Sequence, residues 1–214
     1  MATTKRALKT AKFGVALVNQ PLHGLKAQLQ ALRSARPLVK RRDGRYEGDI
    51  LGFVKGLRLS AGIIQFLEQR LSQLDLEISW GHLLDENKQS CSPECDVIVH
   101  SKGSWGKWNG SDKPIMLFKF IEAAHARAVV SCKSHLTTID LHYPKALQKF
   151  GVKKIFLFAE SCSVTSFDTL RKRAKHAGYT DLCCLYFTGP RGTLQEVNEK
   201  LWMDFGEAVI KAVK

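Results

Sequence analysis

Ser92-Pro93-Glu94-Cys95-Asp96-Val97-Ile98-Val99-His100 is the stretch on which the fold turns. An acidic, turn-forming opening runs straight into a β-branched apolar run, the pattern of a buried strand entered from a polar loop. Residues i and i+2 of a strand share a face, so Glu94 and Asp96 point the same way if both are extended. Two carboxylates at that spacing repel unless a cation lies between them, and hard oxygen ligands suit Mg²⁺. Lys133 stands thirty-seven residues after Asp96, in Val129-Val130-Ser131-Cys132-Lys133-Ser134. There a second apolar strand ends in an alternation that sets Ser131 and Lys133 on one face and turns Cys132 toward the core. A lysine leaving the end of a buried strand needs an acidic partner or an anionic ligand.

Outward from these two stretches the chain has an α/β pattern. A helix is predicted over about 47–73, where Ile50, Val54, Leu57, Ile64, Leu67, Leu71 and Leu74 lie near a three-to-four residue period. β-rich runs occupy Leu76–Leu84, Asp96–His100, Ile115–Phe120 and Ala126–Cys132, parted by polar or glycine-rich turns. One such loop, Gly103–Asp112, carries Trp105 and Trp108, rings that either stack on bases or pin the loop to the sheet. Then strand and helix alternate. A helix is expected within 137–149, a strand at 154–159, a helix over 166–177 and a strand at Leu182–Phe187. The last helix starts near 194, opened by a capping box of Thr193 and Glu196. This order predicts a central mixed β-sheet flanked by helices.

Charge is unevenly spread. Residues 1–45 hold eleven Lys and Arg against the single acid Asp43, which accounts for +10 of the net +13. The segment has leucines near helical spacing, and the Lys40–Gly44 run separates it from the remainder of the chain. The domain reading is therefore a basic helical N-terminal segment over 1–45 and an α/β domain over 46–214. Such a segment attracts a polyanion, and a nucleic-acid backbone is the usual one. Lys5, Arg6, Lys9, Lys12, Lys40, Arg41, Arg42 and Arg45 are the candidate contacts. No run of eighteen apolar residues suggests a membrane span, and no apolar signal region with a cleavage site is visible. Six cysteines, two of them adjacent, read as reduced thiols of a cytoplasmic protein. Cys91 and Cys95 lack a second matching pair, so they do not suggest structural zinc.

The two stretches together resemble the signature of the PD-(D/E)XK nuclease-like superfamily, an Asp at a strand start and an acid-x-Lys on the next core strand. They are most similar to a bacterial domain family of unknown function patterned Ser-x-Gln-x-Asp, then Glu-x-Lys-Ser. The corresponding residues are Ser92-x-Glu94-x-Asp96 and Ser131-x-Lys133-Ser134. The resemblance spans roughly 45–160 and implies a restriction-endonuclease-like αβββαβ core: a helix, three antiparallel strands, a helix and one further strand. It also implies roles. Asp96 would bind Mg²⁺ or Mn²⁺, the Cys132 carbonyl would complete the coordination, and Lys133 would orient or activate the attacking water.

The pattern departs in two places. Ser131 stands where the family has Glu, and Ser60 follows Gly56 by four residues where the family tends to place a glutamate. Glu94, Asp140 on the following helix and Glu160 at the end of the next strand are candidates for the missing acid. Glu94 is preferred because strand geometry demands no long reach. The expected catalytic set is Asp96, Glu94, Ser131 and Lys133, with Asp96, Glu94 and Cys132 as metal ligands. The implied activity is hydrolysis of DNA phosphodiesters in restriction or antiviral defence, with a homodimer or a partner defence protein as the candidate assemblies. A catalytically degenerate module that binds nucleic acid or a partner protein stays open beside it.

Overall fold

The computed structural model describes residues 48–104, 118–162, 166–187 and 199–214. The basic segment with its eight candidate contacts, the boundary near residue 45, the Trp105–Trp108 loop and the Thr193–Glu196 capping box lie outside the described residues. The chain divides into two compact units, Met1–Arg70 and Leu71–Lys214.

In the first unit the described element is helix α1, Gly48–Leu71. Its Leu59, Ile63, Phe66 and Leu67 are fully buried, spaced as one apolar stripe of a 3.6-residue helix.

The second unit is built on a six-stranded mixed sheet. Its strands are β1 (Leu76–Leu84), β2 (Cys95–Ser101), β3 (Phe118–Glu122), β4 (Ala126–Lys133), β5 (Ile155–Cys162) and β6 (Asp181–Phe187), in the spatial order β3-β1-β2-β4-β5-β6. β2 runs antiparallel to both β1 and β4, whereas β4, β5 and β6 are mutually parallel. The three antiparallel strands that the resemblance implies are thus β1, β2 and β4. β3 is an insertion that pairs parallel to β1 on the outer edge. β5 is buried along its whole length, as a central parallel strand covered on both faces must be.

Three helices complete the unit: α2 (His142–Gln148), α3 (Phe167–Ala177) and α4 (Glu199–Val213). Leu147 of α2 and Leu170, Ala174 and Ala177 of α3 pack with Ile98, Val129, Leu157 and Leu182 of the sheet. On the other face Trp202 and Phe205 of α4 meet Phe156 and Phe158 edge-on or tilted. Each fully buried side chain of this size contributes about 1.5–3 kcal/mol. α3 is fixed at both ends. Ser166 accepts the Thr169 N–H at its start, and Gly178 closes it in the left-handed conformation, φ 104°, which glycine adopts without a Cβ penalty. None of the six cysteines is in a disulfide, and five of them are buried. No described helix is long and apolar enough to cross a membrane.

Candidate active site

The site is assembled where β2 begins and β4 ends. Ser79 of β1 faces Ile98 of β2, but Gly81 faces Cys95. β2 therefore carries one more residue than β1 over this step, a bulge at Asp96–Val97. Bulges bend a strand and re-aim a side chain. Here the Asp96 carboxylate reaches across to the end of β4, where its Oδ2 accepts the Cys132 N–H at 2.7 Å. The Ser131 hydroxyl lies 3.5 Å from the same oxygen, at the outer limit of a hydrogen bond.

The loop before β2 is fixed by Ser92. This buried residue donates its N–H to the Leu83 carbonyl and accepts the Leu83 N–H on its hydroxyl oxygen. The serine of the Ser-x-Glu-x-Asp pattern is therefore a turn anchor that ties the loop to β1. Glu94 precedes β2 and is exposed. Its main-chain carbonyl accepts the Tyr143 hydroxyl at 3.1 Å, which ties the start of β2 to α2.

Burial and neighbouring charges both act on the Asp96 carboxyl. Burial pushes the Asp96 carboxyl above its usual range. The Cys132 N–H and the Lys133 charge pull it back down, and the Glu94 carboxylate raises it again. Lys133 ends β4, is exposed, and stands opposite Ala159 of β5. Its charge also acts on Asp140, whose carboxyl is held low mainly by the His142 N–H. Asp140 is occupied just ahead of α2, accepting the His142 and Tyr143 N–H groups on Oδ1 at 2.8 and 3.1 Å.

The structure thus gathers Asp96, Ser131, Cys132 and Lys133, with Glu94 within electrostatic reach. Ser131 is buried behind the carboxylate, where a neutral hydroxyl supports Asp96 and adds no charge. Glu160 follows Ala159, so the alternation of β5 carries its side chain to the sheet face opposite Lys133. Tyr143 is not visible as a site residue in the sequence; only Asp140, a turn-forming acid ahead of a helical pattern, hints that a helix brings side chains here.

Among the described residues no three His, Cys, Asp or Glu side chains form a metal-binding group. Mg²⁺ keeps several waters and takes one or two carboxylates; the carboxylates on offer here are Asp96 and, acting on it electrostatically, the exposed Glu94. In an extended residue the N–H and C=O project toward the same neighbour, so the Cys132 carbonyl faces the β2 side with its N–H.

The architecture has solved counterparts. NucC from E. coli MS115-1 in its cAAA-bound form superposes with a TM-score of 0.58 at 12% identity, over 94% of this chain and 90% of that one. NucC from P. aeruginosa ATCC27853, also cAAA-bound, gives 0.51 at 12% identity, over 89% and 90%. The fold resembles that of NucC. The likeness extends over most of both chains and lies in the mixed sheet with its flanking helices. No family model matches the sequence, and no curated protein matches it.

Proposed function

We propose that this chain is a metal-dependent DNA endonuclease of an antiviral or restriction system, acting in the cytoplasm. The observation that carries the reading is the junction of Asp96 and the Lys133 strand end through the Cys132 N–H. The nuclease-like fold shared with NucC supports it. Asp96 and Glu94 would hold the divalent cation, with the Cys132 carbonyl beside them. When bound, such a cation stabilises charge on phosphoryl oxygens and lowers the pKa of a coordinated water. Lys133 supplies a fixed positive charge where the transition state gains negative charge. Ser131 and the Cys132 N–H hold the Asp96 carboxylate in place. The basic segment over 1–45, with Lys5, Arg6, Lys9, Lys12, Lys40, Arg41, Arg42 and Arg45, would recruit the polyanion.

A second reading is a catalytically degenerate module that holds nucleic acid. Ser131 favours it, because a neutral hydroxyl stands where the resemblance places a glutamate. One assay separates the two. Plasmid is incubated with the full chain and Mg²⁺ or Mn²⁺, with and without cAAA, beside Lys133→Ala. Cleavage lost in the variant supports the endonuclease. Cleavage that survives it sinks the proposed site. Salt-sensitive retention of DNA without cleavage supports the binding module. Sizing the protein with and without DNA tests for the homodimer.

A further inference from the structure

A groove of about 470 Å³ lies between the 137–141 segment and α3. Ile139, Leu141, Leu170 and Ala177 give it an apolar lining, and Leu141 is 55% exposed. Arg173 and His176 border it from α3, and Thr137 and Thr138 from the loop. No carboxylate is among these lining residues. Lys172 adds to the exposed cationic surface of α3, whereas Lys175 is paired with Asp181 at 3.8 Å. The groove adjoins the candidate active site, because Tyr143, two residues after the lining residue Leu141, donates its hydroxyl to the Glu94 carbonyl at 3.1 Å.

We propose that this groove receives an unstacked nucleobase of a nucleic-acid strand whose backbone crosses the Asp96–Lys133 site. The inference rests on the nucleic-acid reading above, though not on catalysis. An intact duplex keeps its base faces stacked and presents phosphates and groove edges, so it offers an apolar groove beside the backbone path less flat surface to cover than a splayed strand does. A splayed base has an apolar flat face and polar edges. Leu141 and Ile139 would cover the face, the threonine hydroxyls would meet an edge, and Arg173 would pair with the adjoining phosphate. The volume falls within the roughly 300–1,000 Å³ usual for small-ligand sites, and the absence of a lining acid fits a polyanion. The substrate class assigned is therefore a single strand or a locally opened duplex.

The test uses the full chain in EDTA, which removes hydrolysis, and fluorescence anisotropy of a short DNA carrying one 2-aminopurine. The same sequence is supplied as a single strand, as a duplex and as RNA. The single strand is expected to bind at least fivefold more tightly than the duplex, with a change in 2-aminopurine emission. Leu141→Ser, which removes the apolar cover, and Thr138→Val, which removes an edge hydroxyl, both at exposed positions, should each weaken single-strand binding severalfold and change duplex binding less than twofold. Lys211→Ala, at an exposed position of α4 on the other face of the sheet, should bind as the wild type does. Equal affinity for both forms, or unchanged single-strand binding in both groove variants, overturns the inference. The DNA and RNA arms decide which sugar the groove accepts. Loss of binding in the groove variants without plasmid cleavage by the wild type would sink the endonuclease and leave the groove standing. Lys133-dependent cleavage with normal binding in the groove variants would do the reverse.

Discussion

The Asp96 carboxylate and the Cys132 N–H are joined across β2 and β4 at 2.7 Å, so the acid and the strand end that carries Lys133 are held as one unit. Burial raises the Asp96 carboxyl above its usual range, against the pull of that N–H and of Lys133. A raised folded-state value means the neutral form is favoured by folding. The stability Asp96 gives is complete below the ordinary carboxylate range and is lost as pH rises through its folded value. Asp96→Asn keeps an acceptor for the Cys132 N–H and removes the charge. The variant should melt higher than the wild type at pH 7, with the difference shrinking toward pH 3. It should also lose Mn²⁺ binding by calorimetry. A lower melting temperature at pH 7 would show that the charge is stabilised by partners beyond those named.

Tyr143 ties α2 to the start of β2 through its bond to the Glu94 carbonyl. Tyr143→Phe keeps the ring and removes the donor. The expected loss is about 0.5–1.5 kcal/mol in urea unfolding, together with weaker divalent-ion binding because Glu94 is less well placed. Unchanged ion affinity would make the tyrosine a purely structural tie.

Much of this arrangement is legible from period alone. The helix expected over 47–73 is Gly48–Leu71, and the strand expected at Leu76–Leu84 has those same bounds. In both places the switch from a helical to a strand pattern comes directly from which side chains must be buried. The sequence predicts a strand over Ile115–Phe120, whereas the described strand is Phe118–Glu122. Its parallel seat beside β1 is a long-range pairing that no local pattern encodes. The β2 bulge is equally hidden, because one extra residue opposite Trp80 leaves the apolar run intact. The spacing predicts Glu94 and Asp96 on one strand face, but β2 starts at Cys95 and Asp96 lies in the bulge. α2, His142–Gln148, lies within the 137–149 window, and the residues just after Lys133 are tied to β5. Leu136 donates its N–H to the Ser161 carbonyl, and His135 Nδ1 lies 2.9 Å from the Ser161 hydroxyl.

His100 is fully buried, with Nε2 3.1 Å from the Ser79 hydroxyl and Nδ1 2.9 Å from the Ser101 carbonyl. The carbonyl can only accept, so Nδ1 carries the proton and Nε2 accepts from Ser79. Burial lowers the imidazole below its ordinary 6.5. The Ser101 carbonyl opposes this, Lys119 reinforces it, Glu77 opposes it, and His125 reinforces it. A depressed folded value gives stability that is full above pH 6.5 and lost as pH falls through the folded value. Melting temperature should therefore decline on acidification below pH 6.5, and His100→Gln should melt lower at pH 7 but with a shallower decline. Parallel profiles for the two proteins would assign the acid sensitivity to other groups.

Gly81 is the position at which edge pairing meets the candidate site. It stands at φ 138°, a conformation that side chains other than glycine rarely adopt. It faces Cys95, the residue before Asp96, on one side and Lys119 of β3 on the other. A Cβ built there collides with the Lys119 carbonyl oxygen, which is backbone and cannot swing away. Gly81→Ala must therefore either strain β1 or push β3 off the edge, and about 2 kcal/mol or more of stability should be lost. Because Cys95 is its partner in the ladder, the shift reaches the bulge that aims Asp96. The variant should therefore lose divalent-ion affinity under conditions where it is still folded, measured below its melting temperature. Lys119→Ala serves as the control. It removes the 2.8 Å ion pair with Glu77 and weakens the same edge, but it leaves the Gly81–Cys95 pairing in place. Ion binding lost in Gly81→Ala and kept in Lys119→Ala would locate the effect in the ladder beside Asp96. Equal losses in the two variants would show that any weakening of the β3 edge is enough to disturb the site.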